Sequence, residues 1–326
     1  MPTFCRHNRF IERCPICSKT LPDHAPASGR TARAKTPKRA GSPGAARRRP
    51  GRADGVKVVR EGRAADDGFH SDLIPGVRAS QDAERLAQEI AFASGRLLAL
   101  AADPPGLYGQ ARELGAEDIG TAAWMCFLIV YLSPLQGEDP FQGIREALEG
   151  GEVPSLEGIP LGPRSQHEAG RGSETLMAYR QWVERSGGAG PAFTGDESWS
   201  PERRFERVFE RMALPGFGRA GRYDLLVTLG RLGLFEMRAG SLQLAGVGAA
   251  SAEDPTMLAA KRVFGIGDPL LLERRAGALA QAVPAPIEAL DLALVNWAAP
   301  ERATLGMDPD VADEGMREYA RGALGL

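Results

Sequence analysis

An unbroken apolar run of 11 residues, 122–132, sets the first limit on the fold. The run is too short for a transmembrane helix, which needs about 20 apolar residues. Because apolar side chains would project from every face of a helix formed here, protein must cover all of its faces. Ser133-Pro134 follows the run and ends the helix. The run is therefore predicted to be the central helix of a buried core.

Apolar residues recur at helical spacing on both sides of this run. Helices are predicted over residues 83–100, 174–184, 223–232, 255–264, 269–282 and 287–298. A further helix is predicted to begin at Ser200-Pro201, with Ser200 as the N-cap and Pro201 in the first turn. Strand signals are scarce, with one short candidate at 56–59 and aromatic residues at 6% of the chain. The expected fold class is all-α.

Charge is distributed unevenly along the chain. Residues 1–64 carry 16 basic and 4 acidic side chains, a net charge of +12, and the remainder carries −14. Residues 21–64 combine Pro, Gly, Ala, Ser and Arg with almost no large apolar side chain, a composition that favours a disordered basic linker. A basic linker joined to an acidic body indicates a polyanionic partner, for which DNA is the expectation.

Cysteine content and the polar start of the chain indicate the compartment. Four cysteines in 326 residues do not form a disulfide scaffold. Cys5 and His7 come where the apolar part of a secretory signal would begin, so no such signal is expected. Cys126 lies in the apolar run and is expected to be inert core. The predicted location is the cytoplasm, at the nucleoid, with no membrane partner.

The other three cysteines lie close to a histidine. Their spacing is C-x-H-x6-C-x2-C, formed by Cys5, His7, Cys14 and Cys17. Two thiolates separated by two residues can bind one tetrahedral ion, and so short a segment cannot build a core without metal. A structural Zn²⁺ is therefore predicted, and no organic cofactor is indicated. The tight C-x-H spacing leaves open a site closed by His24 instead of His7, and a redox CxxC pair is the alternative.

A short turn sequence joins two of the predicted helices. It reads Leu214-Pro215-Gly216-Phe217-Gly218. A helix, L-P-G-x-G and a second helix form the helix–hairpin–helix signature, in which glycines let the turn approach a DNA phosphate and amides of the next helix point toward the anion. Arg219 and Arg222 follow where a phosphate contact is expected. An ordinary interhelical turn is the alternative.

These motifs resemble two groups of proteins. The hairpin resembles that of the helix–hairpin–helix DNA glycosylases. Three further segments resemble the bacterial and phage alpha-glutamyl/putrescinyl thymine pyrophosphorylases. They are the cysteine–histidine motif, segment 127–135 and Phe264-Gly265-Ile266-Gly267-Asp268. The resemblance covers about residues 70–300. It implies a glycosylase-like helical fold and an action linked to hypermodified pyrimidines in phage DNA.

The resemblance to glycosylases implies a catalytic aspartate at the start of the helix after the hairpin unit. Asp254 stands there, although the 36 residues from Gly218 to Asp254 exceed the usual spacing. Asp254 followed by proline is equally an ordinary N-cap, and Asp268-Pro269 repeats the pattern as a second candidate. Some members use a lysine for a Schiff base soon after the hairpin. Arg219-Ala220-Gly221 stands at that place here, so lyase chemistry is not expected.

Asp291 is a third candidate on physical grounds. It lies on the apolar face of the helix predicted at 287–298, where a carboxylate needs a partner such as Arg262 or Arg274, or a shifted pKa. Trp199, in a polar loop, is a candidate for stacking on a base. His167 lies in a polar context and is expected to be solvated.

The expected function is that of a glycosylase-like enzyme. It would extrude a modified pyrimidine from DNA and cleave the N-glycosidic bond, in defence against phage. The alternatives are group transfer onto the pyrimidine without excision, which the name of the resembled family implies, and a non-catalytic DNA-binding adaptor. The predicted domains are a zinc knuckle at 1–20, a linker at 21–64 and a helical domain at 65–326 with its hairpin at 213–224.

Overall fold

The computed structural model describes residues 64–151, 153–246 and 254–326. These residues form twelve α-helices and no strand. The helices are α1 (Ser80–Ala102), α2 (Leu107–Gly115), α3 (Ile119–Leu132), α4 (Gln142–Glu149), α5 (Gly172–Arg185), α6 (Ala189–Thr194), α7 (Pro201–Arg211), α8 (Arg219–Arg231), α9 (Pro255–Phe264), α10 (Pro269–Ala282), α11 (Ile287–Ala298) and α12 (Glu314–Leu324). The all-α prediction is confirmed for the described part. The predicted zinc knuckle, the short strand candidate and the linker as far as residue 63 lie outside it.

Proline after a capping side chain starts three of these helices. Ser200 accepts a hydrogen bond from the Arg203 amide and begins α7. Asp254 and Asp268 cap α9 and α10 in the same way, each accepting from the amide three residues later at 3.0 Å. Such caps satisfy an otherwise unpaired amide, while proline presets the helical φ. The bounds of α9, α10 and α11 coincide with the predicted ones.

Helix α3 is the centre of the core. All residues from 122 to 132 are buried, as the apolar run predicts. The helix packs against α2 and α8. On one side Phe127 stacks on Tyr179 of α5, with ring centres 4.0 Å apart, and contacts Phe217 at 5.1 Å. The core therefore reaches the turn that precedes α8.

Two further groups of helices surround this centre. Helix α1 packs against α11 and α12, and α9 packs against both α10 and α11. Within the described residues no single helix is both long and apolar enough to cross a membrane. By length and composition α10 and α11 pass that test only as a pair, and they are bent by 107° at the break between them.

Candidate functional site

The predicted hairpin is the turn between α7 and α8. Leu214 and Phe217 are buried and form an isolated β-bridge, in which the Phe217 amide donates to the Leu214 carbonyl at 3.2 Å. Gly216 has a φ of +67°, a left-handed conformation that glycine adopts readily. Pro215 and Gly218 are exposed. The turn thus presents its backbone to solvent between two buried anchors.

Helix α5 supports this turn. The Thr175 hydroxyl donates to the Pro215 carbonyl at 2.9 Å, and a Cβ on Gly216 would lie 2.6 Å from the same hydroxyl. Gly218 is the N-cap of α8, without a side-chain cap, and a Cβ there would meet no atom within 4 Å. The N-cap of α8 is therefore exposed and lacks a side-chain cap. This arrangement suits an anion, because the helix dipole adds positive charge at that end.

Arg219, at the first position of α8, points into the protein. It is 3% exposed. Its Nε donates to Asp254 Oδ2 and its Nη1 to the Leu242 carbonyl, both at 2.9 Å. Its Nη2 donates to Asp291 Oδ1 and to Thr256 Oγ1, both at 2.7 Å. Contrary to the expectation, this guanidinium is not presented to a phosphate in the structure.

Arg222 is also buried. Its Nη1 donates to the Phe209 carbonyl at 3.0 Å, and its guanidinium lies 4.3 Å from the centre of the Phe209 ring. Burial lowers the pKa of Arg222. Because both arginines face inward, a phosphate contact at the hairpin would fall to backbone amides in this conformation.

Arg164 extends the network around Arg219. Its Nη2 donates to Asp291 Oδ2 at 3.0 Å and to Asp224 Oδ2 at 2.9 Å. The Thr256 hydroxyl donates to Asp291 Oδ1 at 2.9 Å. We call this group the arginine–aspartate cluster, and its members are Arg164, Arg219, Asp224, Asp254, Thr256 and Asp291. It joins α8, α9 and α11 to the segment before α5.

Asp291 forms ion pairs with two arginines, and neither is one of the partners named from the sequence. Arg262 and Arg274 were the partners named as examples, and the structure instead pairs Asp291 with Arg219 and Arg164. Burial raises the pKa of Asp291, but the two guanidinium groups outweigh burial and hold this pKa below its ordinary value of 3.8. Asp291 is therefore a stabilised carboxylate inside the protein.

The three candidate aspartates occupy different environments. Asp254 caps α9 through the Met257 amide and binds Arg219, so it belongs both to the helix start and to the cluster. Asp291 is in the same cluster but is 1% exposed, against 7% for Asp254. Asp268 is exposed, caps α10, and has no hydrogen bond to the cluster. The structure thus brings two of the three together, and Asp254 is the one nearer the surface.

Trp199 lies between α6 and α7. It is half-buried, and the guanidinium carbons of Arg203 and Arg211 lie 5.9 and 5.7 Å from its ring centre. Gly195 leaves room for the ring, because a Cβ there would lie 2.5 Å from it. No hydrogen bond or ion pair joins Trp199 to the described part of the cluster. Its role in stacking on a base stays a prediction.

Sequence reasoning missed several buried or half-buried polar residues of this region. Arg164, Asp224 and Thr256 belong to no motif. Glu273 of α10 accepts hydrogen bonds from the Leu242 amide, at 2.9 Å, and from a second amide two residues later, and burial raises its pKa. The one available signal was Asp224 itself, a charged residue inside a predominantly apolar helical stretch.

The predicted zinc ligands lie outside the described residues. These ligands are Cys5, His7, Cys14 and Cys17. Within the described ranges, no group of three or more His, Cys, Asp and Glu side chains is arranged to hold a metal ion. The zinc site stays a prediction.

The described chain is thus an all-helical protein in which an interhelical hairpin leads directly into a buried arginine–aspartate cluster. Residues 164–305 match the family model described as alpha-glutamyl/putrescinyl thymine pyrophosphorylase clade 3. The predicted resemblance to that family is confirmed over this stretch, while the relation to helix–hairpin–helix glycosylases stays a prediction. No curated protein and no solved structure matches the chain. The matched stretch begins at Arg164 and contains the hairpin and every member of the cluster.

Proposed function

We propose that this protein is an enzyme that acts on a modified thymine in DNA. One observation carries the proposal: the stretch that matches the family model contains both the hairpin and the whole arginine–aspartate cluster. The name of that family refers to alpha-glutamyl and putrescinyl thymine. The exposed backbone of the hairpin supports a role in holding DNA, since phosphate contacts position a protein on the duplex.

The reaction we propose first is hydrolysis of the N-glycosidic bond. The bond between the sugar C1′ and the base nitrogen breaks, its electron pair leaves with the base, and the oxygen of a water molecule bonds to C1′. The water's proton ends on the base. Positive charge builds on the sugar during this step, so a nearby carboxylate stabilises the transition state more than the ground state. Asp254 fits this role best, because it stands at the helix start that follows the hairpin and is more exposed than Asp291.

The name of the matched family favours a second reaction, which leaves the base attached to the DNA. In it an amine nitrogen bonds to the exocyclic carbon of a pyrophosphorylated hydroxymethyl pyrimidine and loses a proton, the carbon–oxygen bond breaks, and pyrophosphate leaves. A pyrophosphate group needs cationic donors that are not already paired. Arg219 already uses four of its five N–H groups on protein acceptors. Arg219 is therefore poorly placed for pyrophosphate, whereas Nη1 of Arg164 has no hydrogen-bond partner among the described residues. We put hydrolysis first because Asp254 stands at the helix start that follows the hairpin.

A single-turnover assay separates these functions. Duplexes carrying plain thymine or one putrescinyl- or glutamyl-thymine are incubated with excess protein, and free base and abasic sites are measured. A duplex with one pyrophosphorylated hydroxymethyl pyrimidine is incubated with protein and putrescine or glutamate, and released pyrophosphate is measured. Hydrolysis predicts free base and an abasic site from the modified duplex alone. Pyrophosphate without abasic sites supports the transfer reaction. Binding without either product contradicts an enzymatic function and leaves the DNA-binding adaptor.

Asp254→Asn tests the assigned carboxylate in the same assay. We expect turnover to fall by at least about 100-fold, the usual scale for removing a charge that stabilises a transition state. Asp268→Asn is the matched control, because it alters the same kind of Asp-Pro helix start outside the cluster. Equal turnover in both variants would contradict the role of Asp254.

Excision of a modified thymine would serve defence against phage whose DNA carries that base. We propose this as the biological setting, at the nucleoid. Plating phages with plain and with modified DNA on cells that express the protein tests it. Protection against both kinds of phage alike would contradict a role that depends on the base.

A further inference from the structure

A cleft of about 600 Å³ lies at the start of α5. Its lining comes from residues 155–159, Leu161, His167, 169–170 and 172–173. Leu156, Ile159 and Leu161 provide apolar walls, and His167 provides an imidazole ring. Both the volume and the mixture of apolar walls with a few polar groups are typical of sites for small molecules.

His167 is held in a defined position on this cleft. Its Nδ1 lies 3.2 Å from the Tyr131 hydroxyl, and the two rings meet edge-on with centres 5.8 Å apart. Gly172 makes room for the imidazole, because a Cβ there would lie 2.6 Å from the ring. No described residue forms a hydrogen bond with Nε2. His167 is thus not merely solvated, and its second nitrogen is available to a ligand.

Tyr131 connects the cleft to the hairpin. Its ring centre lies 6.3 Å from that of Phe217, the buried anchor of the turn. Its hydroxyl also interacts with Thr175, whose own hydroxyl donates to the Pro215 carbonyl. One tyrosine therefore contacts His167 on the cleft side and the turn on the other. The cleft and the hairpin are immediate neighbours.

The segment 164–167 connects the cleft to the arginine–aspartate cluster. The side chain of Arg164 enters the cluster, while that of His167, three residues later, lines the cleft. Between them Gln166 packs against α8, close enough that a Cβ on Gly221 would lie 2.9 Å from it. Hairpin, cluster and cleft therefore meet around one short segment.

We propose that this cleft receives the modified thymine, with its substituent, after the base leaves the duplex that the hairpin holds. The inference rests on the proposed function and adds the place where the substrate base binds. An extruded base needs a stacking surface, polar groups for its edge and a pocket that encloses it. The apolar walls and the imidazole supply the first two. A bare pyrimidine would fill only part of the volume, which leaves room for a glutamyl or putrescinyl substituent.

Equilibrium binding to the full chain tests this assignment. The measured quantity is the ratio of Kd for a plain thymine duplex to Kd for the same duplex with one putrescinyl-thymine. His167→Ala is expected to lower this ratio about 10-fold, because loss of a stacking ring weakens base binding on that scale. Affinity for the plain duplex should not change. His70→Ala is the matched control, since His70 is exposed and lies outside the cleft.

Ser173→Trp gives an independent test that removes no buried contact. Ser173 is exposed and lines the cleft, so tryptophan there should fill the space and abolish the preference for the modified duplex. A wild-type preference that both substitutions leave intact would overturn the assignment of the cleft. A wild-type protein without any preference or product would instead contradict the proposed function itself.

Discussion

Asp254 has two structural tasks that are independent of any chemistry. It caps α9 through the Met257 amide, and it balances the charge of Arg219 inside the protein. Asparagine keeps the capping oxygen but removes the charge. Removing the Asp254 charge leaves the buried Arg219 guanidinium with less compensating negative charge, although Arg219 keeps its ion pair with Asp291. We therefore expect Asp254→Asn to lower the free energy of unfolding by about 2–3 kcal/mol.

Urea denaturation measures this effect, with Asp268→Asn as the control. Asp268 makes the same kind of cap but is exposed and has no arginine partner in the cluster, so its substitution should change stability by about 0.5 kcal/mol or less. Equal losses in the two variants would show that capping, rather than the ion pair, determines the effect.

The lowered pKa of Asp291 predicts how the stability of the protein depends on pH. Its pKa in the folded protein lies below the ordinary 3.8, because Arg219 and Arg164 outweigh the effect of burial. A carboxyl with a lowered pKa contributes stability that is fully present above its unfolded pKa and is lost as pH falls through the folded one. Wild-type stability should therefore fall steeply below about pH 4, and Asp291→Asn should flatten that decline. Parallel curves for the two proteins between pH 6 and 2 would contradict this account.

At the scale of single residues, the sequence predicts which aspartates lie in the site better than it predicts which arginines they bind. Asp254 was predictable from its Asp-Pro pattern, and Asp291 from its position on an apolar helix face. Their partners were not, because ion pairs of this cluster join residues far apart in the chain: Arg164 lies 60 residues from Asp224 and 127 from Asp291. Local spacing carries no information about such contacts.

At the scale of elements, substitutions at the two glycines of the hairpin should affect stability differently. Gly216 has a positive φ and no space for a Cβ beside Thr175, so Gly216→Val should cost about 2 kcal/mol or more in stability. Gly218 has a φ of −71° and open space around it, so Gly218→Val should fold with a loss within about 1 kcal/mol. Its side chain would project where an anion approaches α8, so DNA affinity should fall.

Thermal unfolding and DNA binding together test this pair. Loss of affinity in Gly218→Val at unchanged stability would support the hairpin as a DNA contact. A well-folded Gly218→Val protein with wild-type affinity would show that DNA does not approach this turn.

The success of helix prediction also depended on local signals. Helices α9 and α10 have a capping aspartate and proline at the start, and their predicted bounds agree with the structure. Four helices were missed, namely α2, α4, α6 and α12. Helix α6 has only six residues, α4 has eight, and α2 and α12 each contain two glycines, which weaken helical propensity. Short helices of this kind depend on tertiary packing rather than on their own sequence.

For the whole molecule, the uneven charge predicts salt-dependent DNA binding. Residues 1–64 carry a net charge of +12, which favours release of counterions from DNA. The slope of log affinity against log salt should be about −0.9 for each phosphate neutralised. Deleting residues 21–64 should make this slope less negative, as fluorescence anisotropy at several salt concentrations would show. An unchanged slope would mean that the linker has another partner.

Metal content gives a second prediction for the whole chain. The four ligand-type residues near the N-terminus predict stoichiometric zinc in protein purified under reducing conditions. Cys14→Ser together with Cys17→Ser should abolish it, and Cys126→Ser should leave it unchanged, because Cys126 is buried in α3. Elemental analysis of the three proteins decides the matter. Zinc-free wild-type protein would exclude the predicted site.

The arginine–aspartate cluster also bears on how the chain folds. Arg164 and Asp291 are 127 positions apart in the chain, and they cannot meet until the segment between them has closed into a loop. Closing so long a loop costs entropy before any contact offsets it, so the pair forms late. Until then its charged groups remain hydrated, and an ensemble that collapses too early would trap them without partners. The cluster should therefore form after the rate-limiting step of folding, and substitutions in it should accelerate unfolding more than they slow folding.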